Sequence, residues 1–298
     1  MKIGIAGPMS LPLLQSYLYT ESPSLRGYPA PIISFLIEGL LRRGHDVSAF
    51  TTSEYINSNT TIKGKKLTIH IIKRRPHAGR RLFRAERLDL KRAMKLESLE
   101  ILNAHWSYEF GWAAVDSGIP CIVTLRDHAQ TVLKYQQDFY RVMRYIMDKI
   151  VIHKSQYLST NSKYLFNLLS EKDQAKTIVI PNFYNKRIED YGAQKSKRKF
   201  ILTVSNGFGR RKNVQSGLIA FQKIRQKFRD LEYYLIGSEM EVGGPAHSFA
   251  LENNLSEGVR FLGRLSHNRV LDNISRAILL LHPSREETFG MVVLEAMV

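Results

Sequence analysis

Two rhythms of apolar and polar positions run along this chain. Short unbroken apolar runs bounded by turn residues alternate with longer stretches whose apolar positions recur three and four apart. The first rhythm marks strands buried on both faces and the second marks amphipathic helices. Met1 to Ala6 reads as a first strand, followed by a Pro- and Ser-containing loop reaching Arg26-Gly27-Tyr28. A helix is expected near Pro31 to Arg43, ending at Gly44, where a left-handed cap is easy. Asp46 to Phe50 is the next strand. Arg80 to Leu99 sets Leu82, Ala85, Leu88, Met94, Leu96 and Leu99 near one helical face. Leu102 to Trp106 reads as a strand end, Ile119 to Leu125 as a strand, Ala129 to Lys154 as helical, and Tyr157 to Tyr164 and Thr177 to Asn182 as further strand ends.

Asn185 to Lys199 is polar, charged and without periodicity, so it is the expected connector between domains. Beyond it Phe200 to Ser205 restarts a buried strand, and Leu231 to Gly237, Val259 to Gly263 and Ala277 to His282 follow in the same style. Strands alternating with helices in both halves predict an α/β chain of two Rossmann-like domains facing a cleft, residues 1–184 and 200–298, joined by 185–199. The first strand carries no G-x-G-x-x-G, which argues against a dinucleotide-dependent oxidoreductase.

Composition narrows the picture. At 298 residues the chain is long for one core and suits two. The single Cys121 excludes a disulfide framework within the chain and fits a reducing compartment. The start of the chain lacks the charged-then-apolar build of a signal peptide, and no apolar run approaches the ~20 residues that span a bilayer, so a cytoplasmic location is expected. A net charge of +17 asks for a phosphate-bearing partner: nucleic acid, anionic lipid, or nucleotide-sugar and lipid-diphosphate substrates. The densest region, Lys63 to Lys95, sets thirteen Lys or Arg against Glu86 and Asp89, either as a solvated basic face or as a contact with the inner face of a membrane. No RNA-binding signature is present, so nucleic acid is not expected as a partner.

The most informative stretch is Ser284 to Met297. Two carboxylates, Glu287 and Glu295, flank an aromatic-glycine turn and a short apolar run that reads as a loop feeding a helix. Their separation is on the order of 12 Å if wholly helical, which suits two sugar rings joined by a diphosphate. The amides of Phe289, Gly290 and Met291 would stand at a helix N-terminus, where backbone donors and the macrodipole attract phosphate. A second candidate is Asn206-Gly-Phe-Gly-Arg-Arg-Lys-Asn213, a Gly-rich loop between strand and helix with three consecutive cations, Arg210, Arg211 and Lys212. Glycines permit close backbone approach, Arg offers a planar fork and Lys a point charge, so the loop can cradle a diphosphate. Ligands of open α/β sheets sit at the carboxyl ends of strands, which adds His105, Arg126, Asp127 and His128.

Pro283 to Met297 resembles the signature P-S-x-x-E-x-F-G-x-x-x-x-E-A-M of retaining glycosyltransferases of family 4, and the likeness extends along almost the whole chain. It includes a Gly-containing loop after the first strand, for which Gly27 is the candidate, and Gly44-His45-Asp46-Val47, strand ends in Asn-Ser and Ile-Pro-Asn, and the V-x-F-x-G run at Val259. The resemblance implies the GT-B architecture and sugar transfer from a nucleotide-sugar to a glycan or lipid-linked acceptor with retention, as in polysaccharide or lipopolysaccharide assembly. It places Glu287 on donor-sugar hydroxyls, Glu295 on the ribose, and Lys212 with Arg210 or Arg211 on the diphosphate. A family histidine facing the donor is carried onto His128, because Arg126 holds its usual spacing, and Arg260 to Leu265 are implied near the base.

No Asp-x-Asp pair is present, so neither a metal nor another cofactor is expected, and the cations and amides would take a metal's place at the departing diphosphate. Relatives continue beyond the Ala-Met-Val at which this sequence stops, so the second domain is expected to be incomplete and turnover poor. Two other classes remain open: a non-catalytic nucleotide-sugar-binding or partner subunit, and a basic membrane- or nucleic-acid-binding protein.

Overall fold

The computed structural model describes residues 1–19, 31–184, 188–189 and 196–298. The chain divides into two α/β units, Met1–Phe183 and Tyr184–Val298. Most of the expected connector, residues 185–187 and 190–195, and the candidate Gly27 lie outside the described residues.

Unit 1 is built on an eight-stranded sheet: β1 (Lys2–Ala6), β2 (Asp46–Ser53), β3 (Thr60–Lys63), β4 (Leu67–Lys73), β5 (Ile101–His105), β6 (Cys121–Leu125), β7 (Tyr157–Thr160) and β8 (Thr177–Val179). Their spatial order is β3-β4-β2-β1-β5-β6-β7-β8. Every pair is parallel except the β3–β4 hairpin. The chain leaves β1 for β2 on one side and reaches β5 on the other, so the topological switch point lies beside β1.

Period-two alternation sends odd and even residues of the strands to opposite faces. Ile5, Val47, Ala49, Ile69 and Ile71 pack with Ile33, Ile37 and Leu41 of α1 (Pro31–Arg42). Ala6, Phe50, Ile72 and Leu102 pack instead with α2 (Arg84–Leu96) and α3 (Glu109–Ser117) through Leu90, Met94, Phe110 and Ala114. Each wholly buried Leu, Ile or Phe of this kind contributes about 1.5–3 kcal/mol. Gly44 closes α1 at φ 85°, the left-handed turn expected of it.

Two sequence expectations are corrected here. The stripe read over Arg80 to Leu99 is only in part the packed face: a 3-10 turn at Ala78–Arg81 and left-handed Leu82 and Phe83 delay the helix to Arg84. Leu88 and Leu96 are 45% and 82% exposed, while Glu86, Leu90, Ala93 and Met94 form the buried face. Hydrophobicity misses this face because Glu86 belongs to it, accepting from the Arg75 amide and guanidinium at 2.9 and 3.3 Å. The helical stretch Ala129 to Lys154 is two helices, α4 (Ala129–Tyr135) and α5 (Phe139–Lys154). Asp138 restarts the second as its N-cap, accepting from the Arg141 amide at 2.8 Å. The short α6 (Lys163–Asn167) and α7 (Glu171–Gln174) complete the unit, each capped by a serine side chain.

Unit 2 carries a four-stranded parallel sheet of β9 (Phe200–Val204), β10 (Glu232–Ile236), β11 (Val259–Gly263) and β12 (Leu279–Leu280), in the order β11-β10-β9-β12. The helices are α8 (Val214–Arg225), α9 (Pro245–Glu252), α10 (His267–Arg276) and α11 (Met291–Met297). Because β9 and β12 are neighbours, the loops leaving their carboxyl ends are brought side by side. Those two loops are the cationic stretch after Ser205 and the stretch ending at Gly290. Among the described residues no helix is long and apolar enough to cross a membrane.

Candidate functional site

In unit 2 the two loops are joined by several contacts. The Lys212 ammonium lies 2.6 Å from a Glu287 carboxylate oxygen, the Arg285 amide donates to the Arg211 carbonyl at 2.9 Å, and the Asn213 side-chain amide donates to the Pro283 carbonyl at 3.0 Å. Asn213 takes a left-handed φ of 54° as it enters α8. Arg211 faces the buried Glu286 at 3.3 Å, whereas Arg210 is exposed with no ion pair among the described residues. The question of which arginine is available therefore has a geometric component: Arg211 is tethered and Arg210 is not.

His282, at the end of β12, stands 3.6 Å from the same Glu287 oxygen. Burial holds its imidazole below the usual range, against the pull of Glu287, and Lys212 adds to the depression. Glu287 thus sits in the loop between a cation and a neutral ring. Gly290 caps α11 at φ 76°, and its carbonyl accepts from the Val293 and Leu294 amides, placing Phe289, Gly290 and Met291 at the helix start. Glu295 is on the helix itself, with its carboxylate 2.9 Å from the His267 Nε2 at the start of α10. Of the run Arg260 to Leu265, Arg260 is exposed near the amino end of β11 and pairs with Glu232 at 2.6 Å, while Gly263 to Leu265 lie at the carboxyl end of that strand.

In unit 1 the predicted residues gather at the carboxyl ends of β5 and β6. Arg126 donates to the His105 Nδ1 at 3.0–3.2 Å and to the Asn182 side-chain oxygen at 2.5 Å. His105 is fully enclosed, and burial together with Arg126 holds it neutral, well below the ordinary histidine range. Its Nε2, which then carries the proton, has no hydrogen-bond partner among the described residues. Burial also lowers the Arg126 guanidinium to about 10. Asp127 belongs to a second group, accepting from the Tyr108 hydroxyl at 2.8 Å and from Arg144 at 3.3 Å. The Arg144 guanidinium lies 3.7 Å over the Tyr108 ring. Burial works against its charge, but Tyr108 and Asp127 raise its pKa overall.

His128 opens α4 and its Nδ1 meets the Thr131 hydroxyl at 2.7 Å. Burial, then Lys149, lowers its pKa, so it stands as a neutral ring. A further buried pair joins the Ser107 hydroxyl to Asp148, whose pKa burial pushes up to about 7.

Sequence reasoning missed Glu286, His282 and His267, which hold the residues it named, and Tyr108, which with Arg144 holds Asp127. The Glu-Glu dipeptide and the histidine just before Pro283 were visible signals for two of them. Tyr108 and His267 carried none, because their partners lie far away in sequence.

The family model described as Glycosyltransferase Family 4 matches residues 33–187, and that described as Glycosyl transferases group 1 matches residues 185–298. An uncharacterized glycosyltransferase of Methanocaldococcus jannaschii is 28% identical over 214 residues, covering 70% of this chain and 56% of the relative. The chain therefore spans little more than half of that relative's length. The N-acetyl-alpha-D-glucosaminyl L-malate synthase of Bacillus anthracis is 25% identical over 286 residues, covering 87% and 70%. Among solved structures, sucrose-phosphate synthase from Thermosynechococcus elongatus superposes with a TM-score of 0.71 at 17% identity, covering 100% of this chain and 79% of that one. WaaG, a glycosyltransferase of lipopolysaccharide biosynthesis, gives 0.65 at 16%, covering 99% and 78%.

Proposed function

The chain belongs to glycosyltransferase family 4, and from that premise we propose that it moves a sugar from a nucleotide-sugar donor to a glycan or lipid-linked acceptor with retention of configuration. The observation that carries this reading is the meeting of Lys212 and Glu287 at 2.6 Å between loops that leave adjacent parallel strands. A diphosphate needs cations where charge builds on the leaving oxygen, and a sugar needs an acceptor for its hydroxyls beside it. Lys212 with Arg210 or Arg211, and the amides of Phe289, Gly290 and Met291, take the diphosphate without a metal or other cofactor. Glu287 takes the sugar hydroxyls and Glu295, oriented by His267, takes the ribose. His128, with His105, Arg126 and Asp127 around it, belongs to the face of unit 1 that serves the reacting groups. No protein nucleophile is assigned.

The test is a panel of nucleotide-sugars scored by ligand NMR and by nucleotide release. Glu287→Gln lowers turnover more than affinity for the bare nucleoside diphosphate, since its partner is the sugar. Equal loss of both contradicts that role. Donor binding with no transfer to any acceptor favours a non-catalytic binding subunit.

A second surface favours an anionic membrane, as a site for a lipid-linked acceptor. On α5, Phe139, Val142 and Ile146 are exposed at helical spacing. The turn bearing the exposed Arg80 and Arg81 packs on the same helix, where Gly79 has no room for a Cβ beside Tyr140. Binding to anionic liposomes should fall with added salt, as screening requires. Equal affinity for neutral vesicles removes this part of the proposal.

A further inference from the structure

Unit 1 contains a small cavity, about 60 Å³, at the carboxyl edge of its sheet. Pro8, Thr52, Arg74 and Trp106 line it, and they follow or end β1, β2, β4 and β5, the four adjacent strands around the switch point. That is where an open α/β sheet offers its ligand site. The volume is about that of two water molecules in the liquid, room for one small oxyanion group but not for a sugar ring.

Its charged walls are Arg74, Arg144 and Glu109. Arg144 is fixed in place: Asp127 holds one end of the guanidinium and the Tyr108 ring lies beneath it. Arg74 lies against the Phe83 ring at 5.5 Å, and its guanidinium makes no hydrogen bond among the described residues. Glu109 is buried and receives no ion pair or hydrogen bond from another side chain among them. Burial raises its pKa, against Arg144 and Arg74 and with help from Glu86. Two guanidinium groups thus face a cavity whose single carboxylate does not offset both.

The wall also carries strain. Trp106, a bulky residue, sits at a left-handed φ of 72°, which costs about 1–3 kcal/mol and persists only where surroundings enforce it. Here α3 enforces it: the Gly111 amide donates to the Trp106 carbonyl at 3.1 Å, and a Cβ on Gly111 would come within 2.6 Å of that oxygen.

We propose that this cavity is a subsite for a carboxylate or phosphate group on the acceptor, gripped by the forks of Arg74 and Arg144 against the Trp106, Tyr108 and Tyr140 rings. Planar guanidinium groups match either oxyanion with paired hydrogen bonds, which a lone ammonium does not. The word acceptor rests on the transferase reading; the anion site itself does not.

The test uses the full chain and its intrinsic fluorescence. The protein has two tryptophans; Trp106 lines the cavity, while Trp112 is covered by the Arg87 guanidinium at 3.6 Å. Inorganic phosphate and malonate are titrated separately at constant ionic strength, and Trp106→Phe identifies the source of the signal. The expected result is a saturable change with at least one of them. Arg74→Ala weakens it about tenfold or more, as expected for a lost charged hydrogen bond. Arg74→Lys, which keeps the charge and loses the fork, falls between, and Glu109→Gln tightens binding by removing the one negative wall.

Saturation by phosphate alone assigns a phosphorylated acceptor and by malonate alone a carboxylate-bearing one. No saturable response to either, no effect of Arg74→Ala, or weaker binding in Glu109→Gln overturns the proposal; the last would mean that Glu109 accepts from ligand hydroxyls. A chain that binds nucleotide-sugars but neither anion loses this inference and keeps the transferase reading. One that binds the anions but no nucleotide-sugar does the reverse.

Discussion

The two units hold their charges in opposite ways. In unit 2 the pairs Lys212–Glu287, Arg211–Glu286 and His267–Glu295 bridge loop to loop or helix to helix, and each has at least one partner open to solvent. In unit 1 Tyr108, Ser107 and Asp148 are buried, and the half-buried Asp127 and Arg144 join them between α3, α4 and α5. A pair that water reaches on one side contributes less to stability than an enclosed one, so a ligand can displace it at smaller cost. Buried charges cannot be unpaired without a large loss, so they fix geometry. Unit 2 is arranged to exchange its partners, and unit 1 to keep them.

The largest effect should come from breaking the buried side of this comparison. Asp127→Ala leaves the enclosed Arg144 without its carboxylate, and unit 1 should lose about 3–5 kcal/mol in urea unfolding. A loss below 1 kcal/mol would mean that water reaches the network and that the contrast is false. Next is Asp148, whose folded pKa of about 7 lies above its ordinary 3.8. The folded state then holds a proton that the unfolded state releases, so stability is greatest below pH 3.8 for this group and falls as pH rises toward 7. The full difference is on the order of 4 kcal/mol at 1.36 per unit. Asp148→Asn should flatten unfolding free energy between pH 5 and 8; an unchanged slope would clear Asp148 of the effect.

On the exchangeable side, Lys212→Ala should weaken nucleotide-sugar binding by about 1.5–3 kcal/mol, the worth of a charged hydrogen bond, and Glu295→Ala should weaken it also. Calorimetric titration checks both, and unchanged affinity in both would remove the donor assignment. The same Lys212→Ala chain should differ in unfolding free energy by under about 1 kcal/mol. Smallest of all is His267→Ala, which leaves Glu295 in place but unsteadied and should cost about 0.5–1.5 kcal/mol of donor affinity. A larger loss would place His267 on the ligand itself.

Much of the candidate site in unit 2 was legible in the linear chain because its residues are neighbours: Glu287, Gly290 and Glu295 fall within one short segment, and Arg210, Arg211 and Lys212 are consecutive. Largely apolar runs at Met1, Phe200 and Leu231 declared buried strands, Gly44 declared a left-handed turn, and Gly290 a turn before a helix. Local rules suffice for these, since strand burial, helix stops and positive φ are properties of a few adjacent residues.

Contacts across the fold followed other rules. That Lys212 reaches Glu287 depends on β9 and β12 being neighbours although 74 residues, 205–278, lie between the end of β9 at Val204 and the start of β12 at Leu279. Glu86 can sit on a packed helical face because Arg75 satisfies its buried carboxylate. The pairing of Asp127 with Tyr108 and Arg144, and of Arg126 with His105, joins four separate elements of unit 1. The amino-acid order determined which segments would be strands, where the turns fell and which residues could meet phosphate. Only the tertiary structure decided which charges were buried, what satisfied them and which were left free, because desolvation and pairing depend on atoms that sequence distance does not bring together.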